Sequence, residues 1–164
     1  MFGISPIGWL HTLGSLPAIP LAAYMLIRHG RIMPRSKPGA VYFLSILTGG
    51  ITVFFIATQA VSYGIGATTL ILLLSGYGVG YVTFLGRLRK YLETVFLSLT
   101  VFLLMLPAVS ETLRRIPNGH PIVSNPQAPL LLGAQGCILL MLIIGLPLQL
   151  LQLRRQSVKL ARAD

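Results

Sequence analysis

Few side chains in this sequence can bind a ligand or move a proton, and most of them border long apolar runs. His11 lies a few residues inside the first such run. An ionisable group there is a functional candidate, because an unpaired charge in an apolar medium is costly. A neutral imidazole can bond a nearby carbonyl, ligate haem or a metal, or pass a proton. Glu111 ends the fourth apolar run and His120 follows in a polar stretch. With five crossings these two and His11 reach one side, forming the single grouping of His and carboxylate that the order allows for ligand binding. Its spacing is unlike a two-histidine metal motif, and no metal is assigned to it. Arg114 and Arg115, three and four residues past Glu111, offer local pairing instead.

Tyr77 and Tyr81 are four apart, so on a helix their hydroxyls share a face and can bond across helices or touch a ligand. The same segment places Gly76 and Gly80 at a small-x-x-x-small spacing that lets another helix approach closely. Glu93 opens the fourth run with Arg89 and Lys90 just before it, where the helix dipole favours a carboxylate. A bolder expectation pairs it, buried, with Arg87 or Arg28. His29 lies in a basic loop and is expected to be solvated. No P-loop, nucleophile elbow or His-Glu-x-x-His motif is present, and three acidic residues give a carboxylate-driven enzyme little to work with, so the balance leans away from an enzyme.

The elements that must position these groups follow from composition. Of 164 residues 54% are hydrophobic and only 10% charged, with a mean hydropathy of +0.80. A water-soluble domain of this size could not cover so much apolar surface. Uncharged runs long enough to cross a bilayer predict an all-α, polytopic transmembrane bundle in one integral membrane domain, residues 1–164. Five spans are expected, at about 4–27, 39–62, 67–86, 91–110 and 130–153. A polar outer loop covers 111–129, and a basic tail covers 154–164.

Pro17 and Pro20 predict a kink in the first span, and Pro107 and Pro147 interrupt the fourth and fifth. The breakers Pro117, Asn118-Gly119, Pro121, Pro126 and Pro129 exclude a continuous helix through the outer loop. A turn at Tyr63, Gly64 and Gly66 is needed to divide the second run from the third. The first run lacks a basic segment before it and is expected to stay as a true span rather than be removed as a signal peptide. Cys137 lies within the last run as a small packing residue and, being alone, forms no intrachain disulfide.

The net charge of +10 points to topology rather than to nucleic acid, because the basic residues sit between apolar runs instead of on a water-facing surface. Arg28, Arg31, Arg35, Lys37, Arg87, Arg89, Lys90 and the basic tail fall on one side, and Arg114 and Arg115 on the other. By the positive-inside rule the N-terminus lies outside and the C-terminus in the cytoplasm, in a cell membrane such as the bacterial inner membrane. The expected partners are the lipid bilayer, anionic lipid headgroups on the cytoplasmic side, and a membrane protein or further copies of the chain.

From His11 to Tyr42 the sequence resembles a bacterial family of small membrane proteins of unknown function, similar to b-type cytochrome bundles. The shared pattern is a His in the first helix, a short basic loop, and Gly39-Ala40-Val41-Tyr42 opening the second. The resemblance implies a compact helical bundle and, in its haem-binding form, axial ligands on facing helices. His11 is the one ligand that transfers, since Arg35 stands at the second His position. Two functions are compatible with these residues. One is a non-enzymatic bundle serving as a small subunit or accessory factor of a membrane assembly. The other is a haem-, metal- or quinone-linked redox protein or small transporter with a site near the outer surface.

Overall fold

Caps and prolines determine where each helix begins and ends. The computed structural model describes residues 5–115, 120 and 122–160, excepting the side chains of 158–160. Residue 4 of the first run, the breakers Pro117, Asn118, Gly119 and Pro121, and Arg162 of the tail lie outside the described residues. Ser5 caps α1 (Pro6–Ser15) by accepting the Gly8 N–H at 3.1 Å. The predicted kink is a break at Leu16 and Pro17, after which α2 (Ala18–His29) resumes. Pro20 falls in the first turn of α2, where its missing N–H has no intrahelical partner to lose. Gly30, at φ 70°, ends α2 in the left-handed conformation, and its N–H bonds the Leu26 carbonyl at 2.9 Å.

Ser36 caps α3 (Lys37–Ile56) through the Gly39 N–H. The connection to α4 (Ala60–Gly78) differs from the sequence expectation. The break lies at residues 57–59, where Ala57 and Gln59 are extended, and Tyr63, Gly64 and Gly66 are inside α4. Tyr63 still serves the turn, because its hydroxyl donates to the Ala57 carbonyl at 2.7 Å. Gly66 is there for packing: a Cβ would collide with the Val53 side chain of α3. Glycines therefore mark the α3–α4 contact rather than the bend, and the second span ends and the third begins about six residues earlier than predicted.

Two 3₁₀ turns, Val79–Tyr81 and Thr83–Leu85, lead through Gly86 (φ 49°) into α5 (Leu88–Arg115). This helix runs past Glu111, so the loop expected from 111 is helical to Arg115. Helix α6 (Pro129–Leu160) opens with a proline at its first position, where that residue is tolerated. Both long helices continue through their internal prolines, Pro107 and Pro147.

The core is built by α2 to α5. Ala18, Ala22 and Met25 meet Tyr42, Ile46, Leu73 and Leu97, and Ile32 from the α2–α3 connection closes one end. Helix α1 leans chiefly on α3, and α6 chiefly on α5. Five stretches, Pro6–His29, Lys37–Ile56, Ala60–Tyr81, Leu88–Arg115 and Pro129–Ser157, are long and apolar enough to cross a membrane, and among the described residues there are no strands. Large apolar side chains such as Leu13, Ile27, Phe55, Met141 and Ile144 cover the outside. Water would not tolerate a surface of that kind on a monomer, and it suggests a multi-pass membrane protein.

The shifted turn can be checked by substitution in detergent. Gly64→Ala meets open space and should hold or raise the unfolding midpoint, as replacing a helical glycine gains up to about 1 kcal/mol. Gly66→Ala should lower it, by about 1–3 kcal/mol for an overpacked contact. Equal effects at the two sites would contradict the helix start at Ala60.

Candidate functional site

The most highly charged internal arrangement lies where the α2–α3 connection meets the first turns of α5. Gly30 reverses the chain at the end of α2 and Ser36 restarts it as α3, so Arg31 and Arg35 bracket a short loop that faces α5. Glu93, 3% exposed, receives one guanidinium on each carboxylate oxygen. Arg31 Nη1 donates to Oε1 at 3.1 Å, and Arg35 Nη1 donates to Oε2 at 3.1 Å. Arg31 is largely covered and Arg35 is half open.

Gly80, on the 3₁₀ turn after α4, makes room for Arg35. A Cβ there would occupy the position of the guanidinium. The Arg35 guanidinium also lies 5.5 Å from the centroid of the Tyr81 ring, within range of a cation–π contact. One carboxylate thus ties together the α2–α3 loop, the end of α4 and the start of α5. Removing one partner of a buried pair strands the other charge in an apolar medium, which is why such clusters are sensitive to single changes.

This arrangement corrects the sequence expectation for Glu93. Its partners are neither Arg28 nor Arg87 but Arg31 and Arg35, brought to it from 62 and 58 residues away. The available signal was limited: Glu93 is the single acidic residue near the basic segments that precede α3 and α5.

At the opposite end of the bundle, α1 is held to α3 through His11. The Thr52 hydroxyl donates to the Thr48 carbonyl at 2.6 Å, so its one hydrogen is in use. The 2.9 Å contact between His11 Nδ1 and Thr52 Oγ1 therefore has the imidazole as donor, and in the neutral ring Nε2 is then the acceptor. Ser15 completes this corner by donating to the His11 carbonyl at 2.6 Å.

A two-histidine haem of the b-type bundle needs a second His facing the first. His29 ends α2, 18 residues beyond His11, or roughly 27 Å at the helical rise, and packs edge-on to Tyr24. His120 is exposed in the loop, and Arg35, where the resemblance would require the second His, is committed to Glu93. These residues do not fit that haem site. Glu111 pairs with Arg115 one turn on, and among the described residues no three His, Cys, Asp or Glu side chains gather as a metal site.

The two tyrosines divide. Tyr77 is directed inward and donates to the Gly39 carbonyl at 2.5 Å, with its ring 4.7 Å from that of Phe43. Tyr81 is exposed beneath Arg35. They do not form one hydroxyl pair because the α-helix ends at Gly78 and the tighter 3₁₀ turn rotates Tyr81 out of register. Gly76 packs against Leu97 and Phe96 of α5, so the small-residue face is used within the chain.

Other polar groups inside the bundle join helices. Thr100 donates to the Leu97 carbonyl, so at 2.8 Å Tyr42 is the donor to Thr100. Helices α5 and α6 are tied by Ser98 donating to Gln149 and by Gln135 donating to Ser110. Among the described residues no buried side-chain nitrogen or oxygen lacks a partner. Compared with family models, curated proteins and solved structures, the chain matches none.

The carboxylate latch predicts a ranked loss of stability. Glu93→Ala should cost the most, about 3–5 kcal/mol as for a broken buried pair. Arg31→Ala should follow, and Arg35→Ala, half exposed, should cost least. Unfolding midpoints in detergent test the order. An Arg35→Ala loss exceeding that of Glu93→Ala would be incompatible with Glu93 as the hub.

Proposed function

We propose that this chain is a non-enzymatic, multi-pass protein of a bacterial inner membrane that serves as a small subunit or accessory factor of a larger membrane assembly, docking through α6. The observation that carries this reading is the isolation of that helix. In the most apolar 18-residue stretch of Pro129–Ser157 only 6% of residues are buried, against 39% in that of Lys37–Ile56. Gly133 and Cys137, four residues apart, are exposed with Met141 and Ile144 beyond them. Cys137, the small packing residue of the last apolar run, lies on this outer face. Small residues at that spacing allow close approach by a helix from another protein, and packing rather than the hydrophobic effect holds such pairs together in lipid. The inner face of α6 is already committed to α5 through Gln135 and Gln149.

The satisfied polar groups also favour a scaffold. Ion and proton pathways require connected intramembrane polar groups with exchangeable partners. Here the internal side chains form short, closed pairs between helices.

Charge placement supports the direction. The loop carrying Arg31 and Arg35, together with Arg87, Arg89 and Lys90 at the start of α5, lies at the same end of the bundle as Arg154 and Arg155, and Arg114 and Arg115 lie at the other. The positive-inside rule then puts the N-terminus outside and the C-terminus in the cytoplasm. Reporter fusions after Lys37 and after Lys90 should both report cytoplasm, and a fusion near His120 the opposite side. A cytoplasmic signal from the His120 fusion would defeat the five-span orientation.

The single cysteine provides a direct test of docking. Native membranes labelled at Cys137 with a photoreactive maleimide should, on illumination, yield one discrete adduct heavier than two copies of the chain and absent from Cys137→Ser. A protein that gives no adduct and leaves mild detergent as a monomer would rule out the assembly reading.

A further inference from the structure

A cleft of about 510 Å³ opens between the start of α5 and the end of α6, at the end of the molecule that carries the Glu93 latch. Arg87, Arg89 and Lys90 line it, together with Thr83 and Tyr91, and Ser157 closes it from α6. Gly86, with its positive φ, lets the chain turn sharply enough to present Arg87 on one wall while Arg89 and Lys90 enter the helix.

The three cations have no carboxylate partner among the described residues. Glu93, the acidic residue closest in sequence, is occupied on both oxygens by Arg31 and Arg35, and Glu111 pairs with Arg115 at the far end. Among the described residues, the latch thereby leaves the positive charge of the cleft without an acidic partner. We propose that this cleft binds the phosphate of an anionic phospholipid headgroup. Guanidinium and ammonium donors supply charge-assisted hydrogen bonds to phosphate oxygens, and the Thr83 and Tyr91 hydroxyls complete the shell, the Ser157 hydroxyl being donated to the Leu153 carbonyl.

The surroundings favour a lipid over a free phosphate ion. Phe84 is 87% exposed, and Leu88 and Leu151 are also open to the outside. These side chains offer an apolar surface for acyl chains beside a basic pocket for the headgroup. Basic pockets between transmembrane helices on the cytoplasmic side are suited to this class of ligand. The inference depends on the proposed membrane orientation and not on the docking role of α6, so a protein found to be monomeric would leave it standing.

The test is native mass spectrometry of the full chain from detergent, titrated with phosphatidylglycerol, phosphatidylcholine or inorganic phosphate. Wild-type protein should retain phosphatidylglycerol in preference to phosphatidylcholine. Each basic residue near an anionic headgroup contributes a factor of about five, so the triple variant Arg87→Gln, Arg89→Gln, Lys90→Gln should bind on the order of a hundredfold more weakly. Restoring charge with lysine at all three positions should recover most of the binding, which separates loss of the site from loss of the fold. Arg154→Gln with Arg155→Gln is the control for diffuse attraction by the tail and should change retention little. Equal retention by the wild type and the triple variant, or an equal loss in the tail variant, would overturn the site. Binding of inorganic phosphate with no retention of phosphatidylglycerol would overturn the lipid as its source.

Discussion

A carboxylate buried in an apolar bundle must be met by charge or neutralised, and much of the arrangement at one end of this protein follows from how Glu93 is met. Its two oxygens are satisfied from a loop that precedes it by about 60 residues, so α2, α3 and α5 must converge there. That convergence sets the left-handed exit from α2 at Gly30, the capped restart at Ser36 and the absence of a side chain at Gly80. It also commits Arg31 and Arg35, while Arg87, Arg89 and Lys90 face a separate cleft. A single acidic residue thereby divides the basic residues at this end into internal ties and an outward-facing cluster.

Beyond the latch, the bundle is held by neutral polar pairs. Lipid gives little hydrophobic driving force between helices, so close packing and interhelical hydrogen bonds carry a larger share of association. Tyr42 with Thr100, Tyr77 with the Gly39 carbonyl, His11 with Thr52 and Ser98 with Gln149 each connect two helices. These contacts explain why Tyr77 and His11, which have the chemistry of ligand-binding groups, serve here as cross-links. The periphery is less tied: α1 buries no residue fully, and α6 leaves most of its length uncovered. That contrast between a firm centre and an open outer helix is what the proposed docking through α6 rests on.

Helix existence was legible from runs of uncharged residues, because a backbone in lipid must satisfy its own polar groups and has few ways to do so. The number of long apolar helices and the break at Pro17 followed from that rule and from proline's missing donor. The α3–α4 turn was misplaced because glycine has two uses in a membrane helix, and Gly64 and Gly66 were read as bend-formers. Gly66 instead lets Val53 approach, a fact that depends on a neighbour the local sequence does not reveal. Cys137 shows a related limit: an apolar run indicates burial in lipid or in protein without saying which, and here the side chain lies on the outside of α6.

The amino-acid order by itself determined the long apolar helices, the breaks between most of them and the segregation of basic residues to alternate connections. Each of these depends on local hydrophobicity, on proline geometry or on counting charges between runs. Only the tertiary structure decided which arginines meet Glu93, which way Tyr77 and Tyr81 turn, and which face of α6 is open. Those outcomes depend on the rotation of each helix about its own axis. An apolar helix with little amphipathic contrast carries almost no local signal of that rotation, and packing against neighbours sets it.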